Sequence, residues 1–369
     1  MDSAPAGTAA AKEISPEELR LAARNHGLPL EALRHDITPA GLHYLLIHYD
    51  IPVVDPEAYR LEVGGELERP VTLSLDDLRG RERRTLPVTF ECAGNGRARL
   101  SPRPISQPWL TEAVGTAEWG GTPLAPLLRE VGVGAEAVEV MFGGLDRGIE
   151  GGVAQAYERS LPLADALAED ALLAYEMNGA PLPPQHGFPL RLVVPGWYGM
   201  TNVKWLSRVQ VLAEPFGGYQ NAVGYRLYDS DGEPGEPVTR MMPRSLTIPP
   251  GVPDFMTRRR HLEPGPCTVR GRAWSGWGPV ERVEVSTDGG ATWADATLDA
   301  PLSDAAWLAW SFEWTATEGT HQLCSRATDA AGHTQPLDAP WNLKGYANNE
   351  VERLSVECAH HHIAAGQSG

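Results

Sequence analysis

The cysteine with the strongest chemical context is Cys92, in the segment TFECAGNGR at residues 89–97. It follows the apolar, β-prone run 86–90 and precedes two glycines and an asparagine, so its sulfur is expected on a loop where a strand ends. Glycines allow positive φ and a close approach to a ligand, and Arg97 and Arg99 should favour the thiolate that binds metals. The pattern predicts either a metal-binding thiolate or a buried structural cysteine beside a turn.

Three cations further along the chain form a second group of candidate ligand-binding residues: His186, Arg191 and Lys204. They lie in and around an apolar strand at residues 190–194 and a Pro-Gly-Trp-Tyr-Gly turn, an arrangement that can gather three cations around one phosphate. Backbone amides of residues 196–202 could add donors of the kind that bind anions. Scattered surface cations are the alternative to a phosphate site.

Both segments resemble signatures of one protein family. The run FECAGNGR is similar to the cofactor-cysteine segment of the sulfite oxidase family of molybdenum enzymes, and QHGFPLRLVVPG followed by VKWL is similar to its signature for holding a pterin and its phosphate. The resemblance covers roughly residues 40 to 355. It implies one mononuclear molybdenum centre per chain, in which a cysteine thiolate joins the two sulfurs of one molybdopterin. The residues that hold this cofactor would be His48, Cys92, His186, Arg191 and Lys204.

The segment YLLIHYDIP at residues 44–52 resembles the family's first cofactor-contacting strand, in which His48 would lean on the pterin. The alternative interpretation of His48 is a core residue whose hydrogen bonds are satisfied within the protein. Relatives that oxidise sulfite carry an arginine two positions before this histidine, where this chain has Leu46. They carry another in a loop of the second domain, where this chain has Pro279. The resemblance therefore implies a substrate pocket that lacks two of the family's three arginines.

The resemblance also implies which residues act on the substrate. Arg97 would orient an anionic substrate, Trp109 would line the pocket, and Tyr225 would hydrogen-bond the reacting oxygen. The alternative interpretation of Trp109 is an ordinary aromatic residue of the core. Tyr219 and Tyr228 are nearby alternatives for the catalytic tyrosine. Together with the metal-binding cysteine, these residues form the expected catalytic set.

Length predicts two domains, because 369 residues exceed the roughly 150 that one domain usually holds. The 39 glycines and 32 prolines favour a loop-rich, strand-rich architecture. We expect an α+β molybdopterin-binding domain of the sulfite oxidase type, followed by an all-β immunoglobulin-like sandwich. The expected boundaries are a helical extension at 1–40, the catalytic domain at 41–245, the dimerisation domain at 246–358 and a disordered tail at 359–369.

The strands of the second domain are predicted from the alternation of polar and apolar residues. Four segments alternate with a period of two, and Asp288-Gly289-Gly290 has the composition of a hairpin turn. The proline-rich residues 233–253 are expected to form a linker between the domains. The four alternating segments are residues 269–275, 280–286, 307–314 and 319–327.

Helix signals appear mainly in the first part of the chain. Residues 13–36 should form one or two short helices, the first capped by Ser15, since proline and acidic residues follow it. Residues 123–131 begin with proline and also indicate a helix. The strand at 138–142 leads to a glycine-rich end at 143–146 that could line a cofactor cleft.

The net charge of −17 argues against nucleic acid or an anionic membrane as a partner. The four cysteines are too scattered for a disulfide framework. No apolar run of transmembrane length and no signal peptide is evident. We therefore expect a cytoplasmic protein, or a periplasmic one if an export signal has been removed.

The implied activity is oxygen-atom transfer to a small oxo-acceptor, with sulfite or a related compound as substrate. No C-x-x-C-H haem motif occurs, so no haem is expected, and reoxidation requires an external electron acceptor such as a cytochrome. A homodimer is expected through the second domain. The alternatives are a sulfoxide or other oxo-compound oxidoreductase with the same cofactor, and a non-enzymatic scaffold or adhesion protein.

Overall fold

The computed structural model describes residues 14–230 and 232–360. The beginning of the expected helical extension and residues 361–369 of the expected tail lie outside these described residues. Among the described residues, no helix combines the length and the apolar character needed to cross a bilayer.

The chain divides into two compact units. Unit 1 contains the described residues up to Leu28, the long segment Ile37–Met241, and Pro340–Asn348. Unit 2 contains the remaining described residues, chiefly Met242–Ala339, together with the short segment Pro29–Asp36. All eight predicted site residues therefore belong to unit 1.

Within the described residues, unit 1 contains three sheets. A five-stranded sheet has the order β2-β1-β10-β5-β6, in which only β1 and β10 are parallel. A second sheet has the order β3-β4-β7-β8, with β9 also paired to β7, and β11 pairs with β12. The strands are β1 (Leu61–Gly65), β2 (Val71–Leu73), β3 (Arg84–Glu91), β4 (Val114–Pro123), β5 (Glu139–Glu150), β6 (Val153–Pro162), β7 (Leu172–Met177), β8 (Ala180–Pro181), β9 (Arg191–Val193), β10 (Leu206–Leu212), β11 (Arg226–Tyr228) and β12 (Pro234–Pro237).

Short helices complete unit 1. Helix α1 (Pro16–Arg24) begins at the predicted cap, where the Ser15 hydroxyl accepts a hydrogen bond from the Glu18 amide. The other helices are α2 (Leu75–Arg79), α3 (Leu124–Val131) and α4 (Leu163–Ala166), with single turns at Arg97–Arg99, Pro184–His186, Gly199–Thr201 and Gln220–Gly224. Four buried side chains form one face of α3 and join the core with the strands of the five-stranded sheet.

Two sequence predictions about local structure are wrong. Residues 44–52 form no strand, because other groups occupy their backbone: the Lys204 ammonium donates to the Leu46 carbonyl, and the Ile47 amide donates to the Asn25 side chain. Residues 233–253 are not simply a linker, since they include β12 and two strands of unit 2. Proline and glycine content there marks turns between short strands.

Within the described residues, unit 2 consists of two sheets and the 3-10 turn Leu30–Arg34. One sheet has the order β13-β16-β20-β19 and the other β14-β15-β22-β21-β17-β18. Both sheets contribute buried side chains to one core, as the period-two segments predicted. The strands are β13 (Arg244–Ile248), β14 (Val252–Pro253), β15 (Arg260–Leu262), β16 (Gly265–Trp274), β17 (Val280–Ser286), β18 (Ala294–Asp295), β19 (Thr297–Leu298), β20 (Leu308–Ala316), β21 (Gly319–Asp329) and β22 (Leu354–Cys358).

Candidate active site

Cys92 lies directly after β3, on the loop that the sequence predicted. Its amide donates to the carbonyl of Ala113, which ties the loop to the start of β4 (2.9 Å). Asn95 holds the turn by donating to the Glu91 carboxylate (3.0 Å) and accepting from the Ala113 amide (3.0 Å). Gly96 has φ of 85°, and a Cβ there would lie 2.9 Å from the Asn348 carbonyl oxygen. The composition of this loop is therefore set by close backbone packing.

Burial dominates the ionisation of the Cys92 thiol. It raises the pKa of the thiol, and the charge of Arg97 and the indole N–H of Trp109 only partly oppose this rise. The expectation that arginines would produce a net decrease is therefore wrong, because a thiol that is 7% exposed loses most of its hydration. Among the described residues, no three His, Cys, Asp or Glu side chains form a metal-binding group. A metal bound to Cys92 would need ligands from outside the protein.

Six of the predicted residues line one cavity, which holds about 630 Å³ of empty space. The thiol therefore shares its cavity with the predicted phosphate-binding cations and with the predicted catalytic tyrosine. The six residues are His48, Cys92, His186, Arg191, Lys204 and Tyr225.

Arg191 is held in place by backbone carbonyls and aromatic rings. Its guanidinium donates to the carbonyls of His186 (3.0 Å) and Asn202 (3.1 Å). It also lies 5.0 Å from the ring centroid of Phe90 and 4.6 Å from that of Trp119. It is 4% exposed, and burial lowers its pKa to about 10. The side chain is thus a fixed cation in the cavity wall.

Lys204 is the second buried cation of the cavity. Its ammonium donates to the carbonyls of Leu46 (2.7 Å) and Gln185 (3.2 Å). Burial and the charge of Arg191 lower its pKa to about 7, and Asp146 partly opposes this. No salt bridge to Arg191 or Lys204 occurs within the described residues, although uncompensated buried charge is costly. A bound phosphate would offset this cost, so these residues fit the phosphate-bearing cofactor.

The histidines of the cavity remain neutral near physiological pH. Burial lowers the pKa of His186 to about 2, that of His48 to about 3 and that of His43 to about 4. Neighbouring cations act in the same direction. Phosphate binding in the unliganded arrangement would therefore rely on the charge of Arg191 and Lys204, while the imidazoles supply hydrogen bonds.

Sequence reasoning missed Asp146 as a site residue. The side chain lines the cavity and is 4% exposed, and its Oδ1 has no hydrogen-bond partner among the described residues. Burial raises its pKa to about 6, and Lys204 opposes the rise. The register of β5 against β6 shifts between Gly143 and Arg147, and such irregularities redirect side chains. The glycine-rich composition at 143–146 was the signal that pointed to this end of the strand.

His43 is a second residue that sequence reasoning missed. Its Nδ1 contacts the Tyr44 carbonyl oxygen (3.0 Å), while its Nε2 has no hydrogen-bond partner within the described chain. The ring is 2% exposed and lines the same cavity. Asp146 and His43 thus offer two unsatisfied polar atoms to a polar ligand such as a pterin.

Tyr225 forms a hydrogen-bonded pair with His48, whose Nε2 lies 2.6 Å from the phenol oxygen. Tyr225 follows the π-helical turn Gln220–Gly224, a rare conformation that often occurs at functional sites. Of the alternative tyrosines, Tyr219 lines a different cavity, and the hydroxyl of Tyr228 donates to the Val223 carbonyl. The structure places only Tyr225 of these three in the lining of the Cys92 cavity.

Arg97 and Trp109 lie beside this cavity. The Arg97 Nε donates to the Lys344 carbonyl (2.8 Å), and its guanidinium lies 4.9 Å from the ring centroid of Tyr346. Trp109 is 5% exposed, and its indole N–H lies close enough to the Cys92 thiol to oppose the rise in the pKa of that thiol. Trp109 therefore supports the thiol, and its predicted role in lining the substrate pocket stays a prediction.

Comparison with known proteins places this geometry in context. Residues 48–220 match the model of the oxidoreductase molybdopterin binding domain, and residues 242–359 match that of the Mo-co oxidoreductase dimerisation domain. Sulfite oxidase of Gallus gallus is 38% identical over 336 residues, which cover 86% of this chain and 72% of the chicken protein. The chain belongs to the sulfite oxidase family of molybdopterin-dependent oxidoreductases.

Other relatives agree with this placement. Mitochondrial sulfite oxidase of Homo sapiens is 37% identical over 345 residues, which cover 87% of this chain and 61% of the human protein. The chain thus spans about three fifths of the length of the mammalian family members that it matches. The crystal structure of the sulfane dehydrogenase SoxCD from Paracoccus pantotrophus aligns with a TM-score of 0.78 at 26% identity, covering 98% of this chain and 96% of that chain.

Proposed function

We propose that this protein is a molybdenum-dependent oxidoreductase that transfers an oxygen atom to a small sulfur-containing oxo-acceptor. The observation that carries the proposal is the composition of one cavity. It combines a thiol at the end of a strand, two buried cations that form no salt bridge within the described residues, and polar atoms of Asp146 and His43 that have no hydrogen-bond partner there. A scaffold protein would gain nothing from burying such charges, whereas a metal-bearing pterin phosphate would use each group.

The residues of this chain would hold the cofactor and orient the substrate. Cys92 would supply the protein's metal ligand, while Arg191 and Lys204 would hold the phosphate. When bound, the molybdenum cofactor supplies two-electron oxygen-atom transfer. Neutral His48 can hydrogen-bond the Tyr225 oxygen through Nε2 and so hold the phenol in place, and in the tautomer that donates from Nε2 the phenol proton stays free for the reacting oxygen. Arg97 would orient an anionic substrate.

The proposed substrates are sulfite and related sulfur compounds. The named relatives are a sulfite oxidase and a sulfane dehydrogenase, and both names describe sulfur compounds that are oxidised. Leu46 lines the cavity at the position of the missing arginine, so a small dianion should bind weakly and with a strong dependence on salt. We therefore propose a high KM for sulfite.

We also infer that unit 2 is an immunoglobulin-like sandwich that pairs two chains. Its two sheets share one core, and the matched family model is named for dimerisation. Uncovered edge strands such as β18 and β19 are a liability that pairing can remove. Electrons would leave through an external acceptor such as a cytochrome.

The activity is tested by making the protein in a host that synthesises molybdopterin and measuring sulfite-dependent reduction of ferricyanide. We expect turnover, and Tyr225→Phe should lower kcat by at least tenfold while the matched change Tyr228→Phe leaves it unaltered. If metal-loaded protein oxidises neither sulfite nor any other reduced sulfur compound, the proposed function is wrong.

A further inference from the structure

Unit 1 contains a second cavity, of which the catalytic scheme above uses only Arg97. It holds about 1860 Å³ of empty space out to its mouth. Much of its wall is apolar or aromatic and is open to solvent, since Ile105 is 63% exposed and Leu343 is 42% exposed. Trp341, Tyr219 and Tyr346 also line it. Sulfite is a small hydrated dianion, so contact with these apolar side chains would not stabilise its binding.

Two cations face this apolar wall. Arg97 is 5% exposed, and the hydrogen bond of its side chain among the described residues is the one from Nε to the Lys344 carbonyl. A guanidinium has five N–H donors, so four remain for a ligand. The Lys344 ammonium donates to the carbonyls of Val223 and Gly224, which leaves its third proton available.

The charge balance of the cavity favours a monoanion. Arg103 also lines it, but this side chain pairs with the buried carboxylate of Glu18. Glu150 is the carboxylate of the lining and accepts hydrogen bonds from neutral groups, including the Gln220 amide (2.7 Å). Arg97 and Lys344 against Glu150 leave one positive charge in excess. A ligand with one negative charge and an apolar body would complement this surface.

Residues that line the second cavity contact residues that line the first. Tyr346 lines the second cavity and Tyr225 lines the first, and their ring centroids are 5.1 Å apart. Gly224, the chain neighbour of Tyr225, also lines the second cavity. The guanidinium of Arg97 lies over the Tyr346 ring on this boundary. An anionic head bound to Arg97 would therefore lie next to the catalytic tyrosine.

We propose that the preferred substrate is an organic sulfinate, R–SO₂⁻, with its head at Arg97 and Lys344 and its apolar body against Ile105, Trp341 and Leu343. This inference rests on the proposed oxygen-transfer function. The sulfinate sulfur forms one new S–O bond, and the oxygen derives from water: R–SO₂⁻ + H₂O → R–SO₃⁻ + 2 H⁺ + 2 e⁻. Sulfur is oxidised by two electrons, which pass to two molecules of a one-electron acceptor, while the protons enter solvent.

The test compares benzenesulfinate with sulfite on the metal-loaded wild type, with ferricyanide as acceptor. We expect kcat/KM for benzenesulfinate to exceed that for sulfite by at least tenfold.

Calorimetric titration with benzenesulfonate, the product, should show binding in protein both with and without molybdenum. Lys344→Met should raise KM for benzenesulfinate about tenfold with little change in kcat, and Lys344→Arg should restore it. Val138→Asp, an exposed position outside this cavity, should change neither value.

The outcomes separate the two proposals. Turnover of sulfite without turnover of benzenesulfinate and without binding of benzenesulfonate would overturn this inference and leave the proposed function intact. Failure with both substrates in metal-loaded protein would count against the proposed function as well. The comparison on the wild type needs no variant, so it stands even if Lys344→Met fails to fold.

Discussion

Replacing Lys204 by methionine should reveal the cost of burying an unpaired cation for a ligand. The ammonium lies in the cofactor cavity without a salt bridge in the described chain, and burial lowers its pKa from 10.5 to about 7. Below pH 7 the folded protein without cofactor bears the full cost of this buried charge, and the cost disappears as pH rises toward 10.5. The methionine variant lacks this term at every pH.

The magnitude follows from proton linkage. Between pH 6 and 8.5 the folded chain releases the Lys204 proton while the unfolded chain keeps it, which stabilises the wild type by about 2 kcal/mol relative to the variant. His43, His48 and His186 have pKa values of about 4 or below and stay neutral over this range. Loss of Lys204 would raise the pKa of Asp146 further in the folded variant. Ionising this buried carboxyl group as pH rises would then destabilise the variant, which narrows the same difference in free energy of unfolding.

The assay is urea unfolding at pH 6 and pH 8.5 of protein made in a host without molybdopterin synthesis. The difference in free energy of unfolding between Lys204→Met and the wild type should shrink by about 2 kcal/mol at the higher pH. Arg20→Met, which removes a cation whose side chain is 80% exposed, should show no such trend. A difference that stays constant with pH would refute the description of Lys204 as a buried, uncompensated charge.

Three further predictions concern stability, substrate and assembly. Glu18→Gln should lower the free energy of unfolding by about 3 kcal/mol in thermal or urea melts, because it removes the buried carboxylate that pairs with the guanidinium of Arg103; an unchanged melt would contradict this. Leu46→Arg with Pro279→Arg should raise kcat/KM for sulfite more than tenfold, about 1.4 kcal/mol, and no gain would show that other cations serve the site. Light scattering should give the mass of a dimer at micromolar concentration, and a monomer would count against the pairing of unit 2.

The sequence predicted the site largely because its ligands lie in two short runs. Residues 89–97 and 185–204 hold Cys92 and the three predicted phosphate-binding residues of the cavity, and the turn at Cys92 follows from local glycine and asparagine chemistry. The period-two segments of unit 2 likewise matched observed strands, since alternation reports directly which face is buried.

The predictions that failed depend on contacts between residues distant in sequence. The pKa of Cys92 is set by burial, which no count of neighbouring arginines reveals. Residues 44–52 look like a strand, yet Lys204 and Asn25 take their hydrogen bonds. Asp146 enters the cavity through a register shift of β5, and a shift of this kind leaves little mark on composition. Tertiary structure decided each of these cases.

The central claim is that Cys92 is the protein's ligand to molybdenum in this cavity. X-ray absorption at the molybdenum edge tests it most directly, on wild type and Cys92→Ser made in a host that synthesises molybdopterin. The account predicts about one molybdenum per chain and three sulfur ligands in the wild type, and two in the variant, whose pterin stays held by Arg191 and Lys204. Three sulfur ligands in Cys92→Ser, or a folded wild type without molybdenum, would contradict it.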